Sequence, residues 1–478
     1  MASEHVARER SFPLRSRSPH ETALITSSQT LSVGEVTHAA LDLCVRIKTS
    51  HTQKYGIGSG RRPCVVVPSS NAGVFLVGIL ACSFADAVAV PWRNRTLPLE
   101  QITDIVHPDF LIQSVDGIID RCSVVDLGLD QVRGVRHGDL LVMTSGSTGL
   151  PKSVALNFSK VVLNASTAGC ALGIWRCTSW AVDIDLALMS ALSHMFMAWQ
   201  FCIPFVYLEH VESKDTTRFL DNAFGYGGSP LQMVRLRDRL AKTLNPRLVV
   251  SSGDFFTPQM VTSVMESLPS TEIHKFYGLT EIGGRFCHLP HEVVLDHKAA
   301  AGFPLPGFKV RISSQSDDSF GLVHASSPLL AEGYYVRGGL FEPIASQWFA
   351  TGDLGKMESN GLITLVGRSD DVFKVGGEKV SRVSIEDALA QLLVNQEYCV
   401  LPIEHDVLGQ CPTLFFSPKE GEEPPRWSDI VRHLRGLLPS RFIPSLMYAV
   451  RGGLPRLPSG KLDRVTLTQK HRSFEVIK

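Results

Sequence analysis

Leu140-Leu141-Val142-Met143-Thr144-Ser145-Gly146-Ser147-Thr148-Gly149-Leu150-Pro151-Lys152 decides the reading of this chain. A continuous apolar, strand-like run stops abruptly in a loop of hydroxyls and glycines that ends in a lysine. Such a loop can wrap a polyphosphate. Glycines let the backbone approach, inward N–H groups and hydroxyls donate hydrogen bonds, and the Lys152 ammonium supplies charge. The plain alternative is a Ser/Gly turn between two elements. The loop is not the P-loop of kinases and GTPases, which needs Gly directly before Lys and a hydroxyl poised for magnesium directly after it. Here Pro151 precedes Lys152, and Ser153 alone does not restore the pattern.

Further boxes follow in order. They are Phe276-Tyr277-Gly278-Leu279-Thr280-Glu281, Ala301-Gly302-Phe303-Pro304-Leu305-Pro306-Gly307, Thr351-Gly352-Asp353, Gly367-Arg368-Ser369-Asp370-Asp371 with Lys374 and Gly377, and Leu457-Pro458-Ser459-Gly460-Lys461. In order and spacing this set resembles the adenylate-forming superfamily: acyl- and aryl-CoA synthetases, adenylation domains of peptide synthetases, and luciferases. The resemblance covers the chain from about Leu140 onward and fits more loosely before it. One departure is Ser153, where the family ends its loop Pro-Lys-Gly. The region between Ser114 and Gly138 is also short for the family.

The resemblance implies ATP, Mg²⁺ and CoA as cofactors and assigns roles. Thr144, Ser145, Gly146, Ser147, Thr148, Gly149 and Lys152 would hold the β and γ phosphates, and Thr280 would donate to the α phosphate. Glu281 is an oxygen ligand suited to the Mg²⁺ that bridges phosphates. Tyr277, beside Gly278, offers a flat face to adenine, although a core aromatic is the plainer reading. Asp353 has two acceptor oxygens for the ribose diol; otherwise it is a turn-forming Asp after Gly352. Arg368 would support ribose or phosphate. Lys461 would bridge the attacking carboxylate and the α-phosphate oxygen during the first half-reaction. Two anions must meet there, so catalysis is mostly positioning and charge neutralisation. A hinge at Asp370 would then swing Lys461 away, and Gly376 and Gly377 would line the path of a thiol.

Composition bounds the function. In 478 residues, Lys plus Arg equals Asp plus Glu at 47 each, so no global basic field recruits nucleic acid or an anionic membrane. Ten cysteines without a Cys-x-x-Cys pair argue against structural zinc and a disulfide framework, and for reduced thiols in the cytosol. Met1–Ser18 is polar and arginine-rich with no apolar core, so it reads as a frayed terminus. Val74–Val90 is the most apolar run; Gly78 and Asp86 interrupt it, which predicts a buried helix then a strand rather than a membrane span.

Strand-like runs at Cys64–Pro68, Ala87–Pro91, Phe110–Ile112, Leu140–Val142 and Arg247–Val250 alternate with helical ones such as Ala72–Cys82. This rhythm predicts an α/β fold of mostly parallel sheets covered by helices. Ligands in such sheets sit beyond the carboxyl ends of strands, which puts the phosphate loop and the Ser251–Asp254 turn, with Gly253 and Asp254, on one rim. Phe308–Val366 suggests a small β subdomain. The division is expected at residues 1–369 for a large adenylation domain and 370–478 for a small mobile α/β lid, with a helix over Ile385–Leu393. Pro418–Pro425 reads as a surface loop.

Substrate information is thinner. The acid pocket is expected from Ala191–Gln200 with His194, from Gly227, Gly228 and Ser229, from Asp254–Phe256, and from Ile282-Gly283-Gly284. The Met and Phe content predicts an apolar acid, aryl or alicyclic. His194 beside Met195, Phe196 and Met197 is equally readable as packed core. Asp183 and Asp185 keep an amino-acid substrate open. Three function readings stand: an acid–CoA ligase, a freestanding enzyme loading a carrier-protein phosphopantetheine in trans, and a non-catalytic acyl or nucleotide binder. A luciferase-like oxygenase shares the first step. A homodimer is a further option.

Overall fold

The computed structural model describes residues 18–477 apart from 94–96, 130–135, 146–150, 209–219, 221–222, 231, 234–245, 254–255, 314–319, 377, 391, 394–395, 407, 419–424 and 457–461. Contacts divide the chain into two compact units. The first comprises residues 1–310, 325–349 and 359–363; the second comprises 311–324, 350–358 and 364–478. The observed division thus gathers three stretches of the expected β subdomain, 311–324, 350–358 and 364–366, with the C-terminal part.

Two sheets build the first unit. One runs Leu340–Pro343, Gly333–Val336, Pro151–Leu156, Leu140–Ser145, Val88–Trp92, Cys64–Pro68, Phe110–Ser114, Cys122–Asp126 in spatial order. Its centre is parallel and its flanks antiparallel. The other contains Glu272–Tyr277, Leu248–Ser251, Gly225–Gly228, Trp180–Val182, Phe205–Tyr207 and Thr22–Ile25 in parallel order. Side chains alternate across each strand, so one strand feeds two cores. Val65 and Val67 face the helices Val33–Tyr55, Ala72–Phe84, Phe158–Leu172 and Met189–Gln200, which also bury Trp180, Val250 and Phe276 of the other sheet. Cys64 and Val66 face the opposite way, against Ile102 and Ile105. Ala181, Tyr226 and Val249 line the outer face of the second sheet.

The helix ends are written in the sequence. Ser32 and Glu35 form a capping box. Asn157 accepts from the N–H groups of Ser159 and Lys160, and Gly173 closes the same helix in the left-handed region. Ala72–Phe84 is buried along its whole length, as its apolar run predicts. Among the described residues no helix is long and apolar enough to cross a membrane. All ten cysteines are free thiols.

In the second unit the hairpin Glu397–His405/Gly409–Ser417 is joined by Val372–Val375, Glu378–Ser381 and Leu446–Ala449. The helices Arg382–Ala390 and Trp427–Arg435 pack on it. The first begins three residues earlier than the expected Ile385, because Ser381 Oγ accepts from Ser384 N at the new start. Asp371 is buried and bound by two cations. Arg382 meets it through Nη2 at 2.9 Å and Nε at 3.2 Å, and Arg464 through Nη1 at 3.0 Å. Arg382 also pairs with Glu386, whose other oxygen accepts from Val400 N at 2.8 Å.

Candidate functional site

The site-bearing elements, in chain order, are strands β1 (Leu140–Ser145) and β2 (Pro151–Leu156), helices α1 (Phe158–Leu172) and α2 (Met189–Gln200), and strands β3 (Gly225–Gly228), β4 (Glu272–Tyr277) and β5 (Gly333–Val336). β1 and β2 form an antiparallel hairpin that pairs Thr144 with Lys152 and Ser145 with Pro151. Thr144, Ser145 and Lys152 therefore belong to strands. Gly146, Ser147, Thr148 and Gly149 lie outside the described residues.

β5 lies on the other edge of β2, pairing Tyr334 with Val154. This register sets Tyr334 diagonal to Lys152 on one face of the sheet. The Lys152 ammonium sits 3.6 Å from the centre of the Tyr334 ring and 3.4 Å from Glu281 Oε1. The Tyr334 hydroxyl donates to the same oxygen at 3.2 Å. Burial, then the neighbouring Glu281, pushes the phenol pKa up, so it stays a donor. Glu281 stands on the single turn Thr280–Ile282, and its carbonyl accepts from Ala331 N at 2.9 Å, which ties that turn to the segment leading into β5. Three segments distant in sequence thus hold one cation and one carboxylate side by side. Tyr334 carries no motif signal beyond an alternating Gly-Tyr-Tyr-Val strand.

Gly278 explains part of the Tyr box. A Cβ there would fall 1.9 Å from Gly284 O, so only glycine lets the two backbones meet. Gly283 and Gly284 both have positive φ. The Tyr277 ring lies 5.6 Å from Phe286 at 52°. Gly253 also has positive φ and faces Ser190 of α2, while Asp254 lies outside the described residues.

His194, on α2, is fully buried. Its Nδ1 faces Trp180 Nε1 at 3.2 Å and its Nε2 faces Arg285 Nη2 at 3.0 Å. Burial, then the Arg285 charge, drives its pKa well down, so the ring is neutral. A Cβ on Gly227 would lie 2.5 Å from His194 Nε2, whereas Gly228 faces Tyr226 on the other side of the sheet. The glycine that admits the imidazole is Gly227. Ser229 makes a capping box with Gln232: its Oγ accepts from Gln232 N at 3.3 Å, and its N donates to Gln232 Oε1 at 2.8 Å. Asp183 accepts from Tyr226 Oη at 2.7 Å, and burial raises its pKa to about 6. Asp185 accepts from Ser69 Oγ at 2.9 Å and lies 3.4 Å from Arg93 Nε.

In the second unit, Asp353 is buried inside the strand Phe349–Met357 rather than in a turn. Its N–H donates to Thr351 Oγ1 at 3.1 Å, and that hydroxyl donates to Val323 O at 2.9 Å. Arg368 Nη1 approaches Asp353 Oδ1 at 3.3 Å and Thr351 O at 3.2 Å. Gly352, at φ +78°, leaves room for that guanidinium. Thr351, Gly352, Asp353 and Arg368 are one assembly. Asp370 lies on the turn Ser369–Asp371. Gly376, at φ +55°, donates to Leu408 O at 3.0 Å. Gly377 and Lys461 lie outside the described residues.

Residues 132–335 match the family model for AMP-binding enzymes. The chain is 24% identical over 449 residues to the 2-succinylbenzoate–CoA ligase of Oceanobacillus iheyensis, covering 87% of this chain and 91% of that one. Its fold matches o-succinylbenzoate CoA synthetase from Bacillus subtilis in complex with its acyl-adenylate intermediate, with TM-score 0.79, 20% identity, and 94% and 96% of the two chains covered. The same enzyme with ATP and magnesium gives TM-score 0.78 at 20% identity, covering 94% and 97%.

Proposed function

We propose that this chain is an AMP-forming acid–CoA ligase for a hydrophobic carboxylic acid. One carboxylate oxygen attacks the α phosphorus of ATP, the bond to the β-phosphate oxygen breaks, and pyrophosphate leaves. The CoA sulfur then attacks the acyl carbon, AMP departs with the bonding electrons, and the thiol proton passes to solvent. The observation that carries the reading is the Lys152–Glu281–Tyr334 cluster at the hairpin: a cation for phosphate beside a carboxylate for a divalent ion, both seated on one tyrosine. The names of the relatives, both acid–CoA ligases acting on 2-succinylbenzoate, support the choice of CoA over a carrier protein.

Magnesium fits Glu281. Oε1 is held by Tyr334 and Lys152, and among the described residues no side chain bonds to Oε2. Among the described residues no cluster of three or more metal-ligating side chains surrounds it. Phosphate oxygens and water would then supply the remaining ligands of the ion, whose charge offsets that of the triphosphate. A solved relative holds ATP and magnesium together. Asp353 and Arg368 are assigned to the ribose, Tyr277 to adenine, Thr280 to the α phosphate and Lys461 to the transferring oxygen. Asp370, on the turn Ser369–Asp371, is assigned as the hinge.

The deciding experiment is pyrophosphate exchange across a panel of acids, followed by mass analysis of the product with CoA. An acid-dependent exchange and an acyl-CoA product are expected. Lys461→Ala is expected to remove exchange, a loss of about 10²–10³ for a preorganised charge, while pre-made acyl-AMP still yields thioester. Nucleotide binding without exchange for any acid would overturn ligase activity, and equal loss of both half-reactions in Lys461→Ala would overturn the role of that lysine.

A further inference from the structure

Arg285 is 3% exposed, and among the described residues no carboxylate pairs with it. Its contacts are all neutral. Nε donates to Ser193 Oγ at 3.1 Å, Nη2 donates to Ser190 O at 3.1 Å, Nη2 lies 3.0 Å from His194 Nε2, and the guanidinium sits 5.3 Å from the Phe276 ring centre. Among the described residues, Nη1, with two protons, makes no hydrogen bond. A buried cation left without an anion costs several kcal/mol. Burial alone brings the Arg285 pKa down to about 9.

The hydrogen-bond count around His194 sharpens this. A neutral imidazole offers one acceptor nitrogen. Trp180 Nε1–H and Arg285 Nη2–H are both donors and face its two nitrogens. Whichever tautomer is present, one donor meets an N–H. The cluster holds one proton more than its own acceptors satisfy, and Nη1 adds two further donors at the guanidinium edge. That edge is fixed by residues of the expected acid pocket. Asn164 of α1 holds the Arg285 backbone from both sides, donating to its O at 2.6 Å and accepting from its N at 3.0 Å. Gly284, with positive φ, faces Met189 and Ser193, and Gly253 faces Ser190.

We propose that Arg285 is a specificity-determining residue that receives a second carboxylate, carried by the acid substrate away from its reacting one. The inference rests on the acid–CoA ligase reading for the presence of an acid in this pocket. The reacting carboxylate belongs at the Thr280–Glu281 end of the same segment. Arg285 lies four residues beyond Glu281, across the Gly283-Gly284 bend, so one dicarboxylic acid with an apolar body can span both ends. Its far carboxylate would take the free Nη1 protons and restore the missing anion.

The test uses a matched pair: 4-(2-carboxyphenyl)-4-oxobutanoate and 4-oxo-4-phenylbutanoate, which differ by the ring carboxylate alone. Wild type is expected to favour the dicarboxylate by about 10–100-fold in kcat/KM, the usual worth of a charged hydrogen bond. Arg285→Gln is expected to erase that preference through KM for the dicarboxylate and to leave the monoacid within about twofold. Equal or better use of the monoacid by wild type overturns the proposal and needs no variant, so a misfolded Arg285→Gln does not decide it. Calorimetric binding of both acids without ATP separates the two readings. Arg285-dependent dicarboxylate binding with no turnover sinks the ligase reading and keeps the subsite. Monoacid turnover without an Arg285-dependent preference does the reverse.

Discussion

Lys152 and Arg285 are two cations with opposite surroundings. Lys152 is 28% exposed, has Glu281 at 3.4 Å, and rests on an aromatic face. Arg285 is enclosed by a carbonyl, a hydroxyl, an imidazole and a phenyl ring. The first is partly neutralised by the protein and open to a ligand that brings its own magnesium. The second is charged, desolvated and unpaired, so its counter-charge has to arrive with the ligand. In the proposed function, one end of the segment Thr280–Arg285 serves the nucleotide and the other selects the acid.

That contrast can be broken most sharply at Glu281. Glu281→Gln keeps the shape and removes the carboxylate, and is expected to lower pyrophosphate exchange by about 10²–10³ at saturating acid, an effect that does not depend on which acid is used. If exchange survives, Glu281 is only the tether of Lys152. At the other cation, Arg285→Gln is expected to change discrimination between acids by about 10–100-fold while exchange with the monoacid persists. Equal loss with both acids would make Arg285 structural. Tyr334 gives a smaller, graded effect. Tyr334→Phe keeps the ring beneath Lys152 and loses the bond to Glu281, with KM for ATP rising about fivefold; Tyr334→Leu loses both, with a rise of about tenfold or more. Equal KM values for the two variants would mean that the ring contributes nothing.

The smallest effect concerns stability and spares the site. His274 and His288 stack with ring nitrogens 3.1 Å apart. Burial foremost pushes their pKa values down to about 4 and about 3. Both rings stay neutral in the fold, while the unfolded chain protonates them near the model-peptide value of about 6.5. The unfolded state therefore binds more protons between pH 6.5 and 4, and stability falls as pH falls through that window, by up to about 3 kcal/mol for each ring. Urea unfolding of His288→Asn at pH 6.5 and 4.5 is expected to show a shallower fall than wild type. An unchanged fall would place the acid sensitivity elsewhere.

The sheet strands were legible because buried parallel strands read as unbroken apolar runs: Cys64–Pro68 is both the expected and the observed element. Thr351-Gly352-Asp353 with Arg368 was legible as a motif, and the reason for Gly352 became visible only with the guanidinium lying where its side chain would be. Tyr334 was not legible. Its role arises from a cross-strand register, which no local spacing encodes. Arg285 was missed by one residue, since the expected pocket wall ended at Gly284. The available signal was a lone arginine in an otherwise apolar stretch, Ile282 to Leu289. Gly227 and Gly228 were both expected in the pocket and only Gly227 makes room for the imidazole, because which of two adjacent glycines faces a helix depends on strand parity in the folded sheet.

The sequence by itself determined the α/β class, the caps of its helices and the order of the nucleotide boxes, because these depend on residues close together in the chain. Only the tertiary structure decided which side chains share a surface. Lys152, Glu281 and Tyr334 meet across 182 positions of sequence, and Arg285 is left without an anion, because pairing and burial are set by packing between segments that no local pattern brings together.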